Sequence, residues 1–133
     1  MKAKTRGQAL VETALIIGLV MLLVIGGIQL LQALYIIRNV RAAAEDAVNI
    51  AAIYGGDTEE FREQLPILLQ TYRLDPARTD VRVEPSQGRF LEPLTVTVEY
   101  AATVRVYGLF DISIPPQEAR ALSQKDLNED GGW

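Results

Sequence analysis

The sequence predicts an α+β membrane protein: a long N-terminal transmembrane helix that extends into a stalk, with a small antiparallel sheet packed on it. Three observations carry this. An uncharged apolar run spans Thr13 to Ile37. Small and apolar residues then recur at helical spacing as far as Gly55-Gly56. Near the C-terminus, Leu94 to Tyr107 alternates apolar and polar side chains at the period of a strand.

The apolar run gives roughly 37 Å of helix, enough to cross a hydrocarbon core about 30 Å thick. Its polar interruptions are Thr13, Gln29 and Gln32. A core helix in so short a chain would rarely be apolar on every face, which favours lipid as its surroundings. The run is also too long for a cleaved secretory signal and ends in Leu34, Tyr35, Ile36 and Ile37 without a small-residue cleavage site. Lys2, Lys4 and Arg6 precede it, whereas Arg38 and Arg41 behind it are soon joined by acids. By the positive-inside rule, the N-terminus is expected in the cytoplasm and the rest outside.

Beyond the span, Ile37, Val40, Ala44, Ala47, Val48 and Ala51 form one face, with Arg38, Arg41, Glu45 and Asn49 on others. Arg41 and Glu45 are spaced for an i,i+4 ion pair, and Gly55-Gly56 stops the helix. Asp57-Thr58-Glu59-Glu60 then reads as a second helix start, with Asp57 as N-cap and Glu60 closing a capping box. Phe61, Leu65, Leu68, Leu69 and Tyr72 make its apolar stripe, read as a core face. Pro66 is expected to kink or split this helix. Val81 and Val83 suggest a short strand. In the main alternating run, Val96, Val98, Tyr100, Val104 and Val106 oppose Thr95, Thr97, Thr103 and Arg105. Ala101-Ala102 marks a bend, Gly108 a break, and Ile112-Ser113-Ile114 a further strand ended by Pro115-Pro116. So few strands need the long helix as their second layer.

Composition narrows the function. With 13 Lys plus Arg against 17 Asp plus Glu, the formal charge is −4, and no basic stripe suggests nucleic acid. The chain has no cysteine and no histidine. Thiolate chemistry is excluded, and the commonest general base and transition-metal ligand are missing. Paired acids such as Glu59-Glu60 fall on a solvated helix face, and no nucleophile–base constellation appears, so no enzymatic activity and no cofactor are expected. In the acidic tail, Asp126, Asn128 and Asp130 with Gly131 match the opening of a calcium loop. The distal Glu such a loop requires would fall beyond Trp133, so a solvated tail is the better reading.

Glu12 is the anomaly. A carboxylate near membrane depth costs a few kcal/mol unless it pairs or reaches water. The string Arg6-Gly7-Gln8-Ala9-Leu10-Val11-Glu12-Thr13-Ala14-Leu15 resembles the processing site of type IV pilin-like proteins. In that family a short basic leader ends in Gly, cleavage follows it, and a Glu stands fifth in the mature chain. More narrowly, residues 6–30 together with the Ala-rich Arg38 to Ala47 resemble the TadE-like minor pilins of tight-adherence (Tad/Flp) pili. The late strand Leu94 to Tyr100, Ile112-Ser113-Ile114 and Ala119 to Leu122 fit the same pattern, and residues 57–80 do not. Two positions depart from it. Gln8 stands first after the cut, where type IV pilins usually place Phe. Gly18 stands about where TadE-like proteins often carry Pro, which removes a proline kink.

The resemblance implies a leader at 1–7, a transmembrane and stalk helix at 8–54 with its span at about 13–37, a small extracytoplasmic α+β domain at 55–122, and an acidic tail at 123–133. It implies cleavage between Gly7 and Gln8 by a prepilin peptidase, with Glu12 then pairing with an N-terminal ammonium. Ala14 with Gly18, and Gly26-Gly27, offer small-residue patches for close helix packing. The expected partners are other pilin-like subunits, the pilus assembly machinery, the peptidase and the lipid bilayer. The expected location is the cytoplasmic membrane, single-pass, or the surface pilus. The alternative is a membrane-anchored extracytoplasmic binding or adaptor protein that is neither cleaved nor built into a filament.

Overall fold

The computed structural model describes residues 2–124. Helix α1 runs Lys2–Tyr54 without a break, about 80 Å of rod. It therefore begins ahead of the expected residue 8 and ends where the glycines predict. Gly55 adopts φ 81°, and the Gly56 N–H closes back on the Ala51 carbonyl at 2.8 Å. This closure satisfies a carbonyl the helix end would otherwise leave unbonded. Gly56, at φ 132°, has no room for a side chain: a Cβ there would lie 2.3 Å from the Ser86 carbonyl oxygen.

Helix α2, Glu59–Thr71, is one continuous element despite Pro66, so the expected split does not occur. Its start also differs from expectation. Thr58, not Asp57, is the N-cap, its hydroxyl accepting from the Phe61 N–H at 3.3 Å. Asp57 is drawn instead to the Arg62 guanidinium, whose Nη2 lies 2.6 Å from Asp57 Oδ2 and 3.2 Å from the Val81 carbonyl oxygen. Asp57 thus forms part of a tie between α2 and the sheet, and the Glu60 capping box does not form. Phe61, Leu65 and Leu69 are buried as the stripe predicts. Tyr72 donates its hydroxyl to Asp46 on α1, and this bond raises the phenol pKa above its ordinary value, with burial and the Asp46 charge adding to the effect.

A short 3₁₀ turn, Pro76–Arg78, leads into the strands. These are β1 Thr79–Glu84, β2 Pro93–Tyr100, β3 Thr103–Val106, β4 Phe110–Ser113 and β5 Gln117–Leu122. They make two sheets rather than one: a three-stranded antiparallel sheet ordered β1-β2-β5, and a β3–β4 hairpin. In the register of β2 with β5, Val96 faces Ala119 and Leu94 faces Ala121. Leu94, Val96 and Val98 are fully buried, as alternation requires.

The three-stranded sheet packs on an alanine-lined face of α1. Val40, Ala43, Ala44, Ala47, Val48, Ala51 and Ala52 are all buried there and share one core with α2 and the sheet. Small side chains let a strand lie close to the helix. Ser123, just after β5, is buried, and the next residue donates its N–H to the Ala52 carbonyl at 2.8 Å. The start of β2, which pairs with Leu122, is thereby fixed near the top of the stalk. From there β2 and β3 descend antiparallel to α1.

Candidate membrane and assembly site

From Leu10 to Tyr35 the large apolar side chains of α1 are about half or more exposed. Among the described residues, α1 is the one helix long and apolar enough to cross a membrane, and its most apolar stretch has no protein covering. Such surface has no favourable contact with water, so the helix suits a single-pass membrane protein.

Near its N-terminal end, Gly7 lies within the helix, and a Cβ built there would meet nothing within 4 Å. Gln8 and Glu12 are exposed on one face, Gln8 Nε2 lying 3.4 Å from Glu12 Oε1. Thr13 turns its hydroxyl back to the Ala9 carbonyl at 2.8 Å, which resolves one polar interruption without a partner helix. Ala14 and Gly18 are exposed, and Gly18 is open to a close approach. The first turn of α1 carries no acid. Arg6 therefore stands near the positive end of the helix dipole, where cations are disfavoured.

Gly26 and Gly27 part company. Gly27 is open, but Gly26 is occupied by its own chain: a Cβ there would fall 1.9 Å from the Tyr107 hydroxyl. Tyr107 sits at the tip of the β3–β4 hairpin. Its hydroxyl donates to the Leu22 carbonyl at 2.6 Å, and its N–H donates to Gln29 Oε1 at 2.9 Å. The helix residue four positions after a carbonyl overhangs it. Glycine at position 26 is what opens Leu22 O to a second donor. The turn is closed by Leu109 N–H to Val106 O at 3.0 Å and has positive φ at Tyr107 (56°) and Gly108 (69°), the hand that suits hairpins. An aromatic residue in that region carries strain of order 1–3 kcal/mol, held here by its two bonds to α1. Sequence reasoning missed this junction. The available signals were Gln29, a polar side chain in an apolar run, and Tyr107 directly before a turn glycine.

The chain thus presents an exposed apolar rod with an acid near its start and a domain strapped along its second half. Over residues 7–49 the chain matches the model of the TadE-like protein family. The N-terminal segment is TadE-like. Its match begins at Gly7, takes in Gln8, Glu12, the span and most of the stalk, and ends before α2 and the sheet. No curated protein and no solved structure matches the chain.

No group of three or more acids converges as a metal site among the described residues. Asp126, Asn128 and Asp130 lie outside them.

Proposed function

We propose that this protein is a structural, non-enzymatic minor pilin-like subunit that helps assemble or prime a Tad-type pilus. In this role a prepilin peptidase removes residues 1–7, and the mature chain starts at Gln8 with Glu12 fifth. The observation that carries the proposal is the TadE-like match, which opens on the glycine of the cut and contains the acid.

The physical chemistry supports it. Glycine weakens a helix by about 1 kcal/mol relative to alanine, so the turn around Gly7 is easier for a peptidase to unwind than an alanine turn would be. Cleavage discards Lys2, Lys4 and Arg6 and creates one ammonium at Gln8, about one turn from Glu12. Glu12 then lies near the positive end of the new helix dipole. In a bundle of apolar rods an unpaired carboxylate is heavily penalised, and a paired one fixes the axial register between neighbours. Gly18 and Gly27, both open, permit close helix contact. The cations before the span support a leader in the cytoplasm and a domain outside.

The test is the mass and N-terminal sequence of the native protein, from membrane and sheared-filament fractions. A chain starting at Gln8 is expected, with Glu12→Gln processed but poorly incorporated. Retention of residues 1–7 in cells carrying the pilus machinery would refute processing and leave a membrane-anchored adaptor.

A further inference from the structure

The β3–β4 hairpin reaches far down α1. From Pro93 to Tyr107, β2 and β3 cover about 46 Å at ~3.3 Å per residue. From Ala52 down to Gly26 the helix covers about 39 Å. The two lengths agree with the bonds from Tyr107 to Gln29 and Leu22, deep within the apolar run. At the tip, Leu109 and Phe110 are 79% and 66% exposed. Behind the tip, Arg105 and Asp111 form an exposed ion pair at 3.1 Å.

From this juxtaposition we propose that the hairpin tip, Tyr107 to Phe110, dips into the outer leaflet of the bilayer and sets the depth of the span. It rests on α1 crossing the membrane and does not depend on processing or filament entry. A two-stranded hairpin has unpaired backbone along its outer edges, so its body is excluded from hydrocarbon. A span reaching Ile37 would drag that body, with Arg105 and Asp111, into the acyl chains. Only the tip can enter. The ion pair then lies at headgroup level, two residues above Tyr107 and beside the helix near Ala33. The hydrocarbon boundary accordingly falls near Gln29 to Gln32.

Counting about 20 residues back from there puts the inner boundary near Leu10 to Thr13. Glu12 then sits at the rim rather than inside. At the outer end Tyr35 and Arg38 fall in the headgroup zone, where an aromatic ring and a snorkelling cation are favoured. The tip is bonded through Tyr107 to the exposed apolar stretch of α1, so Leu109 and Phe110 are held at the level of that stretch. That placement identifies lipid, not water, as what meets Leu109 and Phe110.

The chain lacks cysteine, so single probes are placed cleanly. Leu19→Cys, Leu109→Cys and Leu122→Cys would each be labelled with an environment-sensitive fluorophore in the full chain, reconstituted in phosphatidylcholine–phosphatidylglycerol vesicles carrying spin-labelled lipids. The expected result is a blue shift with quenching by deep labels at position 19. Position 109 is expected to show a blue shift with quenching by shallow labels. At position 122, equally apolar but distal, neither is expected. Quenching at 19 with none at 109 overturns the tip insertion and leaves the span intact. No quenching at 19 overturns the span and the insertion together. Crosslinking of position 109 to a second copy, without lipid quenching, assigns the tip to a protein neighbour and overturns the lipid assignment.

Discussion

Replacing Leu94 with alanine is expected to unfasten the sheet from the stalk. Leu94 is fully buried on β2, between the alanine face of α1 and the cradle at Gly88, where a Cβ would come within 2.7 Å of its Cδ2. No loose side chain stands ready to refill the space, so the full transfer and cavity penalty applies, about 3 kcal/mol within the usual range for buried leucine. A domain of this size loses roughly 4–8 °C of Tm per kcal/mol, which predicts a fall of about 12–24 °C. Leu122→Ala, at a half-exposed leucine on β5, is the control and is expected to change stability by less than about 0.5 kcal/mol. Thermal unfolding of the full chain in detergent, followed by near-UV dichroism of the domain tyrosines, reads both. If Leu94→Ala melts no lower than Leu122→Ala, the core is not where the structure puts it.

Other substitutions probe separate junctions. Ala47→Leu, at a position 1% exposed between α1 and its sheet, should cost about 1–3 kcal/mol by overpacking, read in the same melt. Gly56→Ala meets both a φ of 132° and the Ser86 carbonyl, and should cost more than Gly108→Asn, whose site is open and of a hand that asparagine tolerates; equal melting temperatures would contradict this. The Tyr72–Asp46 bond favours the neutral phenol. Its contribution is therefore complete below the unfolded phenol pKa near 10 and lost as pH rises through the higher folded value. Stability should fall with pH above about 10, and Tyr72→Phe should flatten that limb of a pH–urea series.

Where one residue's chemistry dominated its surroundings, the sequence was legible. The long apolar helix, the stalk stripe, the Gly55-Gly56 stop and the β2 alternation each rest on local pattern, and each is present. Where two distant segments competed for a residue, local pattern misled. Asp57 suits an N-cap, yet Arg62 takes its carboxylate and leaves the cap to Thr58. Local pattern assigned no element to Gln117 to Leu122; the segment follows Pro115-Pro116 and lies where β2 offers an unpaired edge, so it completes the sheet as β5. Gly26 and Gly27 look equivalent in the sequence. The return of the hairpin from nearly eighty residues away separates them.

The same contacts explain how one helix serves two environments. The three-stranded sheet buries its apolar face against α1, which serves as its second layer. The core face of α1 begins at Val40. Gly7 lies 33 residues earlier, about 50 Å along the rod, and Glu12 is nearly as far. Events at the N-terminal end thus touch no side chain of the domain core. Removal of residues 1–7 should leave the domain's melting temperature unchanged while altering what the first turn of α1 can pair with. Conversely, loosening the domain through Leu94 should leave the peptide bond after Gly7 as accessible as before. A chain cut normally but unable to fold its domain, and a folded chain that cannot be cut, are therefore separable defects, and finding them inseparable would mean that α1 does not act as a rigid spacer between the two ends.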